Sequence, residues 1–209
     1  SPDGKFLAAL SQITKKNINI INMETGKIIK SFKTKDQNSP KNASLAFSPD
    51  GKFLASGTGY SYNRAGYTTV YNLEMGNEVN SFKIGGAVKS VAFSPDGKFL
   101  AAGSSDKKAR IYNLEIGQEV KSFKISNRVN SVAFSPDGKF LAVGSRDNHS
   151  YIYNMETGNE VNSFKAGDNV NSVAFSPDGK FLAVGSSDKK AHIYNLETGK
   201  QLNYYGFDN

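Results

Sequence analysis

The chain has 209 residues, 38% of them hydrophobic, enough for a sizeable core, yet it has no apolar run near the ~20 residues of a membrane helix. Its 26 lysines and arginines outweigh 19 acids, leaving a formal charge of +7 that favours acidic partners. Cysteine is absent, which excludes disulfide staples and thiol chemistry.

The phrase Ser-Pro-Asp-Gly-Lys-Phe-Leu-Ala opens the chain at Ser1 and returns at Ser48, Ser94, Ser135 and Ser176, spaced by 47, 46, 41 and 41 residues. A tandem period near forty marks units that stack, because one unit cannot bury its apolar faces alone. In the first copy residue 1 already lies in the turn, so three strands are expected there and four in each later copy. Aligning the copies places extra residues in three connections: two near Ile13 to Asn17, four after Phe32, and five within Tyr60 to Thr69.

The third copy, Ala87 to Lys124, is the clearest. Val88 to Phe93 reads as a strand and meets a tight turn at Ser94-Pro95-Asp96-Gly97, where proline presets φ and glycine accepts the return of the chain. Phe99 to Gly103 follows, then a polar connection over Ser104 to Lys108, then Ala109 to Tyr112. A bulged hairpin at Asn113 to Gly117 leads to Glu119 to Phe123. The second strand is apolar on both parities, so it is expected to pack on two faces. Helices are excluded because Gly and Pro interrupt every stretch of helical period. The fourth and fifth copies repeat this pattern. The chain is therefore read as all-β, a β-propeller of four-stranded antiparallel blades with five repeats visible, the first lacking its opening strand. Residues 1–209 are expected to be a propeller segment of a larger propeller or longer protein. A five-bladed ring, and closure by a second copy, are the alternatives.

The string from Val91 to Asp106, ending in Ile111-Tyr112-Asn113, resembles a WD (WD40) repeat, and the resemblance recurs along the whole chain. The family's Trp-Asp ending is Tyr-Asn at Tyr71, Tyr112, Tyr153 and Tyr194, and Ile21-Asn22 in the first copy. Its Gly-His pair is missing. Its buried second-strand hydroxyl is replaced by Ala102, Val143 and Val184, with Ser56 alone retained. Apolar packing is therefore expected in place of the family's polar network, while the turn aspartates Asp106, Asp147 and Asp188 survive. Periplasmic and lactonase-like propellers share the Ser-Pro-Asp-Gly hairpin, but Leu-Ala-x-Gly-Ser-x-Asp favours the WD reading.

Residues present in every blade are most economically structural, so a function confined to one place must use residues that break the repeat. The connections joining second to third and fourth to first strands open on one face and carry all three insertions. Fifteen lysines and arginines fall there against six aspartates, whereas the opposite face carries ten repeated acids against seven lysines. The basic face is expected to receive an acidic protein or peptide. The resemblance implies contacts from residues near the start of the first strand and from the residue before the turn aspartate. These are Ala87, Lys89, Arg128, Asn130, Asn169, Asn171, Ser105, Arg146 and Ser187. Arg128 and Arg146 suit carboxylate recognition. Tyr60, Tyr62 and Arg64 form a second cluster in the longest insertion, with Tyr60 equally suited to capping the core. Lys41 and His149 complete the candidates.

No enzyme is expected, and no cofactor or metal. The two histidines, His149 and His192, lack the cysteines or clustered carboxylates of a metal site, and no nucleophile, base and orienting group can be assembled from singular residues. A hydrolase or lactonase-like propeller would instead place acids and histidines around its central channel. Nucleic-acid binding through the basic face is the alternative function, with Tyr60 and Tyr62 stacking bases beside Arg64. Nine of the 26 cations are repeated lysines, however, and there is no basic helix or nucleic-acid motif. A cytoplasmic or nuclear location is expected, without membrane insertion. The glycosylation patterns at Asn42 and Asn148 are chance matches in an Asn-rich chain.

Overall fold

The computed structural model describes residues 1–10, 17–35, 42–59 and 65–206. Blade 1 has three strands, β1 (Phe6–Leu10), β2 (Asn17–Asn22) and β3 (Ile28–Lys33). Blade 2 has β4 (Asn42–Phe47), β5 (Phe53–Gly59), β6 (Gly66–Asn72) and β7 (Asn77–Ile84). Blade 3 has β8 (Val88–Phe93), β9 (Phe99–Ser104), β10 (Lys108–Asn113) and β11 (Gln118–Lys124). Blade 4 has β12 (Val129–Phe134), β13 (Phe140–Ser145), β14 (His149–Asn154) and β15 (Glu160–Lys165). Blade 5 has β16 (Val170–Phe175), β17 (Phe181–Ser186), β18 (Lys190–Asn195) and β19 (Gln201–Gly206). Every pairing is antiparallel between sequence neighbours, the arrangement of a β-propeller built from WD-type blades. The Tyr60–Thr69 connection is shorter than the sequence suggests, because Gly66 to Thr69 already pair with β7.

Each hairpin between first and second strands is specified by its side chains. In all five copies the Ser hydroxyl donates to the Asp carboxylate at 2.5 to 2.6 Å. In the third, Asp96 also accepts from the Lys98 amide at 3.0 Å, Ser94 Oγ accepts from the Phe99 amide at 2.9 Å, and Gly97 takes φ 71°. The hairpin between third and fourth strands is bulged in every blade, between Ile111 and Tyr112 in blade 3. Asn113 caps it, accepting from the amides of Glu115 and Ile116 at 2.9 and 3.2 Å. Asn in place of the WD aspartate is therefore a turn former.

The core lies between blades rather than within one. Leu54, Leu100, Leu141 and Leu182, at one register position, are all fully buried. At each junction a fourth-strand Phe meets a third-strand Tyr of the next blade: Phe32 with Tyr71, Phe82 with Tyr112, Phe123 with Tyr153 and Phe164 with Tyr194, at centroid distances of 4.0 to 4.7 Å. Such a contact adds about 0.5–1.5 kcal/mol beyond its area. Tyrosine thus fills the tryptophan position, and burial pushes the Tyr153 hydroxyl up to about 12. The inner strands interlock as well. Ser44, Ser90 and Ser131 accept, through Oγ, from the amides of Val91, Val132 and Val173 in the next blade at 3.0 to 3.2 Å. These bonds satisfy edge donors that the sheet leaves unpaired.

A glycine in each second strand makes room for the following blade. An ideal Cβ on Gly57, Gly103 or Gly144 would lie 2.5 to 2.7 Å from the Cγ1 of Val88, Val129 or Val170. The outermost faces lack this cover. Leu7 is 48% exposed although its four counterparts are buried, and Tyr205, at the register position of Phe164, is 60% exposed.

Candidate functional site

The loops that join second to third and fourth to first strands share one end of the antiparallel blades. Here the structure brings together the residues paired by the WD resemblance. The amides of Ser105, Arg146 and Ser187 donate to the carbonyls of Ala87, Arg128 and Asn169, each at 2.9 Å. Two adjoining loops of each of blades 3, 4 and 5 are thus tied into one corner. In blade 4 that corner presents Arg128, half-buried, and Arg146, exposed. Asn127 supports it through Nδ2, which donates to the Arg146 carbonyl at 3.5 Å.

The remaining candidates divide. Asn130 Nδ2 donates to the Val170 carbonyl at 2.8 Å, so this side chain ties blade 4 to blade 5. Asn171 is exposed and its amide turns instead to Ser187 Oγ at 2.9 Å. Asn169 and Lys89 are half-buried. His149 Nδ1 sits 2.8 Å from the Asp147 carbonyl oxygen, with the ring stacked near Tyr151. Lys41, Tyr60, Tyr62 and Arg64 lie outside the described residues.

One expectation is corrected here. Apolar residues do replace the second-strand hydroxyl, with Ala102, Val143 and Val184 at most 1% exposed. The polar network nevertheless persists in another form, because each turn aspartate keeps a partner from the third strand of its own blade. Asp106 receives both terminal nitrogens of Arg110, at 3.0 and 2.7 Å. Asp147 receives the Tyr151 hydroxyl at 2.9 Å. Asp188 faces His192 Nε2 at 2.8 Å and also accepts from the Gly167 amide at 2.9 Å. Burial alone would raise the Asp188 carboxyl, but bonds from His192, Ser186 and Gly167 outweigh it and hold the carboxyl below its ordinary value. The sequence signal was the varied residue four positions after each aspartate. A tight turn with Lys107, Asn148 or Lys189 at φ 64 to 69° returns that residue beside the carboxylate. His192 is thereby a structural clasp.

Of the fifteen cations assigned to this face, eleven lie among the described residues, against four aspartates. Some are engaged locally: Lys35 pairs with Glu78 at 2.7 Å, and Lys190 Nζ lies 4.2 Å from the Tyr204 ring centroid. Among the described residues no cluster of three or more His, Asp or Glu could hold a metal ion, and no helix is long and apolar enough to cross a membrane. A family model described as the IFT122 first beta-propeller matches residues 1–208. No curated protein matches the chain.

Proposed function

Since the chain belongs to the IFT122 first beta-propeller family, whose members are generally protein-interaction scaffolds and typically non-enzymatic, we propose that its loop-rich basic face receives an acidic protein or peptide. The observation that carries this reading is the blade 4 corner, where a 2.9 Å backbone bond holds Arg128 and Arg146 side by side. Fixing the backbone positions from which two arginines project lowers the ordering cost of recognising carboxylates. Arg64 and Lys41 are proposed to extend the surface, and the scaffold is proposed to work in the cytoplasm or nucleus without chemistry of its own.

The test is fluorescence anisotropy with a labelled peptide carrying six consecutive glutamates, against the chain and its Arg64→Glu, Arg128→Glu, Arg146→Glu variant. About a tenfold or greater loss of affinity at unchanged Tm is expected from three reversed contacts. Unchanged affinity refutes the acidic-partner reading. Tighter binding of unrelated single-stranded DNA than of the peptide, falling steeply with salt, would replace it by the nucleic-acid alternative.

A further inference from the structure

On the opposite face, where the Ser-Pro-Asp-Gly turns lie, the junction of blades 3 and 4 holds a cavity of about 250 Å³. Phe99, Ile111 and Val120 of blade 3 and Phe134 and Met155 of blade 4 line it, and Asp96 and Asp137 stand among its lining residues. The spaces at the two preceding junctions are lined by turn residues with a single phenylalanine each, so they offer little apolar surface.

The following junction, of blades 4 and 5, holds a comparable space lined by Phe140, Val161 and Leu196, and two residues distinguish the blade 3–4 cavity from it. Lys121 crosses to blade 4, where its Nζ donates to the Glu156 carbonyl at 2.7 Å, so its aliphatic stem helps wall the cavity. Asn80 and Asn162 hold that position in blades 2 and 4. Met155 occupies the position filled by Leu73, Leu114 and Leu196, supplying a flexible thioether that adapts to an occupant. Lys30 makes the same reach to blade 2, but the space there is lined by turn residues.

The cavity falls below the ~300–1,000 Å³ of pockets that hold whole small ligands, and suits one side chain. Its carboxylates supply the second element of recognition. Burial would raise Asp96 and Asp137, but the hydroxyls of Ser94 and Ser135 and the amides of Lys98 and Lys139 outweigh it, keeping both ionised at neutral pH. The turns of this face carry ten acids against seven lysines.

We propose that this cavity is a second peptide-binding site, taking one leucine-, methionine- or phenylalanine-sized side chain from an extended segment of a partner protein, with a neighbouring lysine or arginine facing Asp96 and Asp137. An apolar anchor in a desolvated pocket with a charged rim is the anatomy of an interaction hot spot. The site lies at the other end of the strands from the basic face and selects the opposite charge, so its test is separable from that of the basic face.

The experiment uses the whole chain with ¹³C-labelled Met and Ile methyl groups, titrated with blocked peptides Gly-Lys-Leu-Lys-Gly, Gly-Lys-Ala-Lys-Gly and Gly-Glu-Leu-Glu-Gly. The first is expected to shift the Met155 and Ile111 methyl signals saturably. The alanine peptide should bind about tenfold more weakly, from the lost apolar burial, and the glutamate peptide more weakly again. Asp96→Asn with Asp137→Asn keeps the acceptor oxygen each turn needs but loses the charge-assisted bonds, so Tm should fall somewhat; measured well below the unfolding transition, with the folded circular dichroism spectrum retained, it should weaken the Lys-Leu-Lys peptide severalfold. Val120→Trp, at a position 42% exposed, should block entry. Absence of shifts at millimolar peptide, equal binding of the leucine and alanine peptides, or insensitivity to both variants overturns the proposal. So do methyl shifts that depend on protein concentration alone, which would assign the cavity to a second copy of this chain.

Discussion

Gly103→Ala tests the junction of blades 3 and 4, where the following blade packs directly on a strand glycine. The added Cβ would sit 2.6 Å from Val129 Cγ1 and 3.1 Å from Val132 Cγ1, against about 3.5–4.0 Å for an ordinary carbon contact. Val129 is fully buried, so it cannot swing away without disturbing Leu141 and Val143 in the same cluster. Overpacking of this kind costs about 1–3 kcal/mol, offset by about 0.5–1 kcal/mol from replacing a strand glycine. The net expectation is a loss of about 1–2 kcal/mol, read by urea denaturation followed by circular dichroism. Val129→Ala alone should cost about 2–3 kcal/mol by leaving a cavity. The double variant should lose less than the two separate losses together, with a coupling of at least about 1 kcal/mol, since each change makes room for the other. Blade 5 supplies the internal control: a Cβ on Gly185 meets nothing nearer than Ser172 Cβ at 3.7 Å, so Gly185→Ala should be neutral or slightly stabilising. Equal costs at Gly103 and Gly185, or strict additivity in the cycle, would refute the reading of these glycines as slots for the next blade.

Ser150→Ala should stabilise the chain by about 1 kcal/mol in the same assay, because the fully buried Ser150 Oγ has no hydrogen-bond partner and Ala109 and Ala191 stand at its register position. Lys107→Asn and Lys189→Asn should each raise stability by up to about 1 kcal/mol, since both lysines take the left-handed conformation that Asn148 occupies in blade 4, and a loss would show that the lysine side chains do more than fill the turn. Carboxyl titration by NMR should find Asp96 and Asp137 inflecting below the ordinary value of 3.8. Their folded values are depressed, so the stability they contribute is present above that pH and lost as pH falls through the folded values. Inflection at or above 3.8 would refute the hydrogen bonding assigned to these turns.

Strand placement was legible because each turn is written in side chains: Ser94 and Asp96 close one hairpin, and Asn113 closes the next. The double-sided packing of β9 was legible from its apolar residues on both parities. The clasp between Asp106 and Arg110 was not, because the two meet only after a turn through a left-handed lysine that composition does not announce. The bond from the Asn130 amide to the Val170 carbonyl was not legible for a related reason, since that carbonyl belongs to the following blade, a neighbour defined only by stacking. The cavity beside Met155 escaped as well, since its five apolar wall residues come from four strands and a turn, at positions that are apolar in the other blades too.

The sameness of the junctions has a consequence for how such a chain is assembled and altered. Gly57, Gly103 and Gly144 accept Val88, Val129 and Val170 with nearly the same geometry, so these contacts carry no address of their own. A 41-residue unit could therefore be excised or copied at the DNA level and leave matched surfaces on either side of the seam. Blade count becomes an easily revised trait, while the varied loops riding on interchangeable parts are what each revision reshuffles.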